Sequence, residues 1–212
     1  MTLNITNIGS HRVSQGSLVG PQVDAILAGE RVQVLYSDPP WGDGNLLYWQ
    51  TMNRKMTGAA VAQVSHDQMR DRILDLVARY VDGYLFIETG LRWAGYWMDA
   101  MTGAGLRGVH RRKIWYGSKA KPIENVLIIG TVPGAPELTL GDVEHLNGPH
   151  LGRHCVGLVA KPGAVVLDPC CGMGYTARAA VAASMRFRGN ELNAARLAKT
   201  IKFLEASARK AA

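Results

Sequence analysis

The chain has 212 residues, 47% hydrophobic and 19% charged, which is typical of a soluble domain with one buried core. No stretch reaches the ~18 to 20 apolar residues of a membrane span, and the N-terminus lacks the pattern of a secretory signal, so we expect a cytoplasmic protein without a membrane partner. The net charge of +7 favours a polyanionic partner, nucleic acid first, although a basic surface also serves solubility.

Buried strands and amphipathic helices alternate along the chain. This alternation predicts an α/β fold with a mostly parallel sheet covered on both faces, whose ligands bind at the carboxyl ends of the strands. The predicted strands are 32–36, 84–87, 114–116, 126–129, 165–167 and 187–189, with a hairpin at 117–125. The predicted helices are 22–27, 67–81, 90–103, 175–184 and 192–208.

The first motif, Asp38-Pro39-Pro40-Trp41, follows the strand at 32–36. The two prolines fix the backbone so that the Pro39 carbonyl can face a pocket, and Trp41 offers a flat surface for an unstacked base. The reactive group of such a base would be its exocyclic amine, which is a poor nucleophile because its lone pair is delocalised into the ring. A carboxylate on Asp38 and a carbonyl that accept its two hydrogens would localise that lone pair. A strand-ending turn with an incidental tryptophan is the simpler alternative.

The second motif follows the strand at 165–167 and leads into a helix. Glycines 172 and 174 let backbone approach a ligand closely, and the helix start offers free N–H groups. Glu191 ends the next strand, where a carboxylate can accept both hydroxyls of a ribose. A dinucleotide site would carry a third glycine where Ala177 stands, and a plain turn is the alternative. The motif reads Asp168-Pro169-Cys170-Cys171-Gly172-Met173-Gly174-Tyr175-Thr176.

Together these motifs resemble those of amino-methyltransferases that use S-adenosylmethionine. Asp-Pro-Pro-Trp matches the catalytic motif of adenine and cytosine amino-methyltransferases, and aspartate in first place is similar to the adenine branch, since cytosine enzymes usually carry serine. The catalytic motif precedes the cofactor motif, as in the circularly permuted (beta-order) DNA methyltransferases. Eukaryotic mRNA adenine methyltransferases also carry this tetrapeptide.

The resemblance implies a doubly wound, Rossmann-like sheet of seven strands, one of them antiparallel. It implies a single methyltransferase catalytic domain over 1–212, with a catalytic half at about 1–130, a short variable segment at 131–149 and a cofactor-loop half at 150–212. Only one predicted helix follows Glu191, so one of the seven strands is missing from the C-terminal side; residues 7–18 would provide it. The family often carries a Lys-Pro before the cofactor loop, but 150–155 occupies that place, so the residue that holds the methionine end of the cofactor is unassigned.

The resemblance also implies the site residues, with S-adenosylmethionine as the cofactor and no metal. No C-x-x-C pair exists for zinc, and we expect the three cysteines to be reduced thiols. The implied catalytic residues are Asp38, Pro39, Pro40 and Trp41. The implied cofactor-binding residues are Asp168, Pro169, Cys170, Gly172, Gly174, Thr176, Glu191, Gln15 and Ser17.

Contacts with nucleic acid are predicted around the rim of this site. The loop after Trp41 carries three of the candidates, although its aromatic residues can equally pack beneath it. The tip of the predicted hairpin should face the same rim. The basic run at 107–113 approaches the groove only if its strand begins near Val109; a solvated face or a subunit contact is the alternative. The candidates are Tyr48, Arg54, Lys55, Lys119, Lys121 and Arg112.

The sequence therefore predicts methylation of the exocyclic amino group of adenine in DNA, with the base flipped out and stacked on Trp41. RNA adenine methylation, DNA cytosine methylation and an inactive, nucleic-acid-binding subunit are the alternatives. Segment 131–149 is too short for the usual target-recognition domain. A second copy of the chain or a partner subunit is therefore expected on DNA.

Overall fold

The computed structural model describes residues 3–58, 64–118 and 121–211. Eight strands and seven α-helices alternate through these residues, and a short 3-10 helix, Leu91–Trp93, precedes α4. The strands are β1 (Ile5–Ile8), β2 (His11–Gln15), β3 (Val32–Ser37), β4 (Val81–Gly90), β5 (Arg107–Ser118), β6 (Lys121–Thr131), β7 (Val165–Asp168) and β8 (Arg186–Glu191). The helices are α1 (Gln22–Leu27), α2 (Asp43–Thr57), α3 (His66–Tyr80), α4 (Ala94–Gly103), α5 (Gly148–Leu158), α6 (Tyr175–Ala182) and α7 (Ala194–Ala211).

The strands form one mixed sheet in the order β1-β2-β8-β7-β3-β4-β6-β5. The central strands from β2 to β4 in this order are parallel, β6 is antiparallel to both of its neighbours, and β1 is antiparallel to β2. The prediction of an α/β fold is confirmed. The predicted strand count, seven with one antiparallel, is wrong: the described residues form eight strands, of which β1 and β6 run against the others.

The additional strand comes from the N-terminal segment. The sequence predicts one strand within 7–18, but the chain turns at Gly9, which has a φ of +55°, and both arms of the resulting hairpin pair. The second arm, β2, lies parallel to β8, with Gln15 opposite Glu191. The predicted neighbour of the Glu191 strand is therefore in place, and β1 extends the sheet beyond it.

The predicted strands at 114–116 and 126–129 are much longer in the structure. β5 and β6 pair from Arg107 opposite Thr131 to Ser118 opposite Lys121. The prediction fails in 107–113 because β5 is the edge strand of the sheet. An edge strand can expose its charged side chains and needs no apolar pattern. The segment after Trp41, predicted as a loop because of Gly42 and Gly44, is also ordered and forms helix α2.

Helices cover both faces of the sheet, as predicted. Alternate residues of β3 point to opposite faces: Val34 joins the core beneath α5, α6 and α7, whereas Leu35 joins the core beneath α1, α3 and α4. Helix α3 begins at a capping box, in which the Ser65 hydroxyl accepts from the Gln68 N–H and the Gln68 side chain accepts from the Ser65 N–H. None of the described helices combines the length and apolarity that crossing a membrane requires.

Candidate active site

The two motifs meet at the carboxyl edge of the sheet. β3 and β7 are adjacent and parallel, with Leu35 opposite Leu167, so the segments that follow them leave the sheet side by side. β8 and β2 continue the same edge. The ends of these strands open onto a cavity of about 220 Å³. It is lined by the Asp38 to Trp41 segment, by Pro169 and Cys170, by Glu191 and by side chains of α2 and α7.

The Asp38 to Trp41 segment is held in a defined shape by its own hydrogen bonds. The indole Nε1 of Trp41 donates to Oδ1 of Asp38 over 2.9 Å, and the Trp41 backbone N–H donates to Oδ1 of Asn45 over 3.1 Å. The Trp41 ring also meets Tyr116 of β5 edge to face, with ring centroids 5.1 Å apart. Trp41 and Asp38 are therefore presented to the cavity together.

Asp38 has a perturbed carboxyl group. Solvent reaches it through the mouth of the cavity, but the protein atoms around it remove much of its hydration. This desolvation raises the pKa of Asp38 to about 6, while the hydrogen bond from Trp41 and the positive charge of Arg196 act in the opposite direction. A carboxylate with this pKa is ionised near neutral pH and accepts hydrogen bonds there.

A second carboxyl group, that of Glu88, lies near Asp38. In the sequence it only follows the predicted strand at 84–87, and it was not predicted as a site residue. It is buried at the carboxyl end of β4 and accepts a hydrogen bond from the Tyr36 hydroxyl. Burial and the negative charge of Asp38 raise the pKa of Glu88 to about 8. The signal that could have found it is the one that marked Asp38, a carboxylate directly after an apolar strand.

The two glycines of the loop after β7 allow its backbone to approach a ligand closely. Gly172 and Gly174 have φ values of +52° and +82°, a region that favours glycine. A Cβ at Gly172 would lie 2.8 Å from Nη2 of Arg196, and a Cβ at Gly174 would lie 2.7 Å from Oγ1 of Thr200. A side chain at either glycine would therefore strain the backbone and displace Arg196 or Thr200.

Asp168 and Thr176 brace this loop from behind the cavity wall. Asp168 accepts from the Thr176 hydroxyl over 2.6 Å and from the Cys170 N–H over 3.0 Å. Burial raises the pKa of Asp168 to about 7. Both side chains are buried, whereas Pro169 and Cys170 face the cavity.

Glu191 joins the loop to the next strand. Its Oε2 accepts from the Gly172 N–H and its Oε1 from the Asn193 N–H, each over 2.8 Å. The carboxylate also lines the cavity. Each oxygen retains a second acceptor position, so the geometry allows Glu191 to receive ribose hydroxyls while it holds the loop. A loop closed to side chains beside an acceptor of this kind fits an adenosine-containing cofactor.

Of the two N-terminal residues predicted to bind the cofactor, Gln15 and Ser17, the structure brings only Ser17 to the cavity. Ser17 and its neighbour Gly16 line it. Gln15 does not, and its amide oxygen instead accepts from the exposed Asn4 side chain. The side chains of a strand alternate between faces, and Ser14 takes the buried position here, with its hydroxyl donating to Asn190.

None of the described residues predicted to contact nucleic acid lines the cavity. Tyr48 is exposed on α2, and Arg54 and Lys55 lie in the last turn of that helix. Lys121 is exposed at the start of β6, and Arg112 is exposed within β5. Lys119 lies outside the described residues.

Other cavity residues could not be assigned from the sequence, because α2 and α7 meet only in the folded chain. Trp49 of α2 lies beneath the Arg196 guanidinium, with Cζ 4.7 Å from the ring centroid. Met56 of α2 accepts a weak hydrogen bond from the Asn193 amide, with its sulfur 3.6 Å from Nδ2. These contacts hold α2 against the segment that follows Glu191.

Comparison with known proteins gives similarity of structure only. No protein-family model matches the chain, and no curated protein sequence matches it. The crystal structure of M1.HpyAVI matches with a TM-score of 0.62 at 16% identity over 91% of this chain and 97% of that chain. TTHA0409 from Thermus thermophilus gives 0.62 at 18% identity, with coverage of 93% and 96%. The cytosine-N4-specific PvuII DNA methyltransferase gives 0.60 at 11% identity, with coverage of 98% and 93%. The chain therefore has an α/β fold that DNA methyltransferases also have.

Proposed function

We propose that the protein is a methyltransferase that uses S-adenosylmethionine to methylate the exocyclic amino group of a base in DNA, with adenine as the base. One observation carries the proposal: a single cavity is lined both by the Asp38 to Trp41 segment and by Glu191 beside the glycine loop. The fold supports it, since structures of M1.HpyAVI and of TTHA0409 were solved in complex with S-adenosylmethionine. In this proposal residues 1–212 form one permuted catalytic domain.

In the proposed reaction the catalytic segment prepares the amine. Ionised Asp38 accepts one amine hydrogen and the Pro39 carbonyl accepts the other, which localises the nitrogen lone pair. The flipped base lies against Trp41, whose orientation is set by its hydrogen bond to Asp38. Because water reaches Asp38 through the cavity mouth, the proton that the amine loses can pass from this carboxylate to solvent.

The remaining residues position the cofactor, which supplies an electrophilic methyl group when bound. Glu191 receives the ribose hydroxyls, and Ser17 lies near the adenine. Pro169 and Cys170 form the wall along the glycine loop, while Asp168 and Thr176 keep that loop in shape. No cysteine stands in the Asp38 to Trp41 segment, so transfer is direct in this proposal, and burial raises the pKa of both Cys170 and Cys171 well above the usual range.

Cytosine N4 is the second candidate position, because the cytosine-N4-specific PvuII enzyme has a similar structure. We favour adenine because aspartate stands first in the Asp38 to Trp41 motif. Nucleosides from the DNA and RNA of an expressing host, measured by mass spectrometry, distinguish the candidates. We expect N6-methyldeoxyadenosine in the DNA. Expression of Asp38→Ala is the control; equal amounts of every methylated nucleoside in both samples would contradict the proposal and favour an inactive binding subunit.

A further inference from the structure

Arg196 is the one cation among the described residues that line the cavity. Its side chain leaves α7 just after Glu191 and is half-buried. The guanidinium lies against the backbone of Gly172, so closely that a Cβ there would be 2.8 Å from Nη2. On its other side it stacks over Trp49. Arg196 thus stands between the glycine loop and α2, facing the space that the cofactor would fill.

Among the described residues the guanidinium forms no ion pair, and its charge acts on Asp38 only at longer range. Within the described parts of the chain, no carboxylate lies within 4.0 Å of it. The hydrogen bond of this residue to the Asn193 side chain uses the backbone N–H and leaves the guanidinium donors unused. Stacking on an aromatic ring fixes the plane of a guanidinium and leaves its edge available for a carboxylate or phosphate.

The cavity needs a positively charged group if it binds a ligand that carries an amino-acid carboxylate. The other charged side chains that line it, Asp38 and Glu191, are both acidic, so an incoming carboxylate would meet repulsion without a cation nearby. The phosphate of a flipped nucleotide is the other anion to consider. A flipped base enters ahead of its backbone, which leaves the phosphate at the rim, whereas Arg196 is packed against the glycine loop.

We propose that Arg196 binds the α-carboxylate of the methionine moiety of S-adenosylmethionine. This assignment rests on the proposed function and supplies the contact for the methionine end that the motifs leave open. It also gives α2 a role, because Trp49 holds the guanidinium in the orientation that receives the carboxylate.

The test compares two ligands that differ only in this carboxylate. S-adenosylhomocysteine and its decarboxylated form, S-adenosyl-3-thiopropylamine, are titrated by calorimetry into wild type, Arg196→Met and Arg196→Lys. Methionine keeps an apolar stem over Trp49 and removes the charge. A matched control is Arg178→Met, since Arg178 also stacks on a ring, that of Phe203, with Cζ 4.4 Å from its centroid, but does not line the cavity.

We expect Arg196→Met to weaken binding of S-adenosylhomocysteine about ten- to a hundredfold, the range for a lost charged hydrogen bond. Binding of the decarboxylated ligand should not change. Arg196→Lys should retain part of the preference for S-adenosylhomocysteine over the decarboxylated ligand, and Arg178→Met should resemble wild type. Equal weakening of both ligands, an unchanged preference, or a loss confined to DNA binding would each overturn the assignment. Failure of wild type to bind S-adenosylhomocysteine would instead overturn the proposed function.

Discussion

Asp38, Glu88 and Asp168 form a group of carboxyls at the ends of three neighbouring strands, β3, β4 and β7. Each has a raised pKa, for which burial is the largest cause, and the charge of Asp38 contributes to the shifts of the other two. Only Asp38 is open to solvent. The cluster therefore separates one carboxylate that can ionise and face a substrate from two buried carboxyls with higher pKa values, about 8 for Glu88 and about 7 for Asp168.

The pKa of Asp38 predicts how methyl transfer depends on pH. Asp38 must be ionised to accept an amine hydrogen, so turnover should rise about tenfold per pH unit below about 6 and level off above it. Asp38→Asn should lower turnover by on the order of a hundredfold or more, since it removes a charge-assisted contact made mainly in the transition state. Single-turnover rates from pH 5 to 8 provide the measurement. A flat profile in wild type would remove Asp38 from the proposed role.

Glu88 predicts an effect on stability rather than on cofactor binding. Its folded-state pKa, about 8, lies above the ordinary value of 4.5, so the folded protein holds this proton more tightly than the unfolded chain does. The resulting stabilisation is complete below about pH 4.5 and is lost as the pH rises through about 8.

Glu88→Gln cannot ionise and keeps an oxygen that accepts from Tyr36. Wild type loses the stabilisation from Glu88 as the pH rises, whereas the variant has none to lose. The free energy of unfolding of the variant minus that of wild type should therefore increase from pH 5 to pH 9 by on the order of a few kcal/mol. Urea denaturation at pH 5, 7 and 9 measures the difference. Asp38 and Asp168 remain in both proteins, and their electrostatic coupling to Glu88 is part of the measured difference. A constant difference at all three pH values would show that Glu88 ionises as freely as in the unfolded chain.

At the scale of elements, the strands β3 and β7 that carry the motifs were predictable from the sequence, whereas helix α2 was not. Residues 32–36 and 165–167 are short apolar runs that end at Asp-Pro, and both are strands whose ends meet at the cavity. The run from Gly42 to Gly44 indicated a loop, yet α2 begins at Asp43, and Asn45 within this helix accepts from the Trp41 backbone N–H. Arg196 could not be predicted, because its place depends on the packing of α7 against a distant part of the chain.

The start of α2 is a precise fit at Gly42. This residue has a φ of +81°, and a Cβ there would lie 2.0 Å from Cζ2 of Trp93. Gly42→Ala should therefore displace the helix start, lower the melting temperature by several degrees, equivalent to about 1 to 3 kcal/mol, and weaken binding of S-adenosylhomocysteine through movement of Trp49. Thermal unfolding and calorimetry measure both effects.

Gly44→Ala is the matched control, because nothing lies within 4 Å of its Cβ position. It lies in the first turn of α2, where alanine favours helix. Its melting temperature should equal or exceed that of wild type. Equal losses in both variants would mean that flexibility of the segment, rather than the contact with Trp93, determines the result.

At the scale of the whole molecule, the longest described segment without a helix or strand is 132–147. A specific protein–DNA interface buries ~1,000 to 2,500 Å² of protein surface, and segment 131–149 offers little of it. We therefore expect the active unit on DNA to be an oligomer or to need a partner subunit. Light scattering with and without duplex DNA, together with sequencing of methylated sites, is the measurement. A monomer that methylates one defined sequence unaided would contradict the expectation.

The basic edge strand leads to the final prediction. Arg111 and Arg112 are exposed on β5, the outermost strand on the side of Tyr116 and the catalytic segment. If they contact phosphates, Arg111→Gln/Arg112→Gln should reduce the slope of log affinity against log salt by about one to two units, since each lost phosphate contact in duplex DNA changes it by about 0.9. Cofactor affinity should not change. Fluorescence anisotropy with labelled duplex at several salt concentrations measures the slope.

The control removes the same charge elsewhere. Lys202 and Arg209 are exposed on α7, which packs near β1 and β2 at the opposite end of the sheet from β5. Lys202→Gln/Arg209→Gln should keep the wild-type slope. Equal reductions in both double variants would show that net charge alone governs DNA affinity. An unchanged slope in the β5 variant would exclude these two arginines from contact with DNA and favour the alternative of a solvated face.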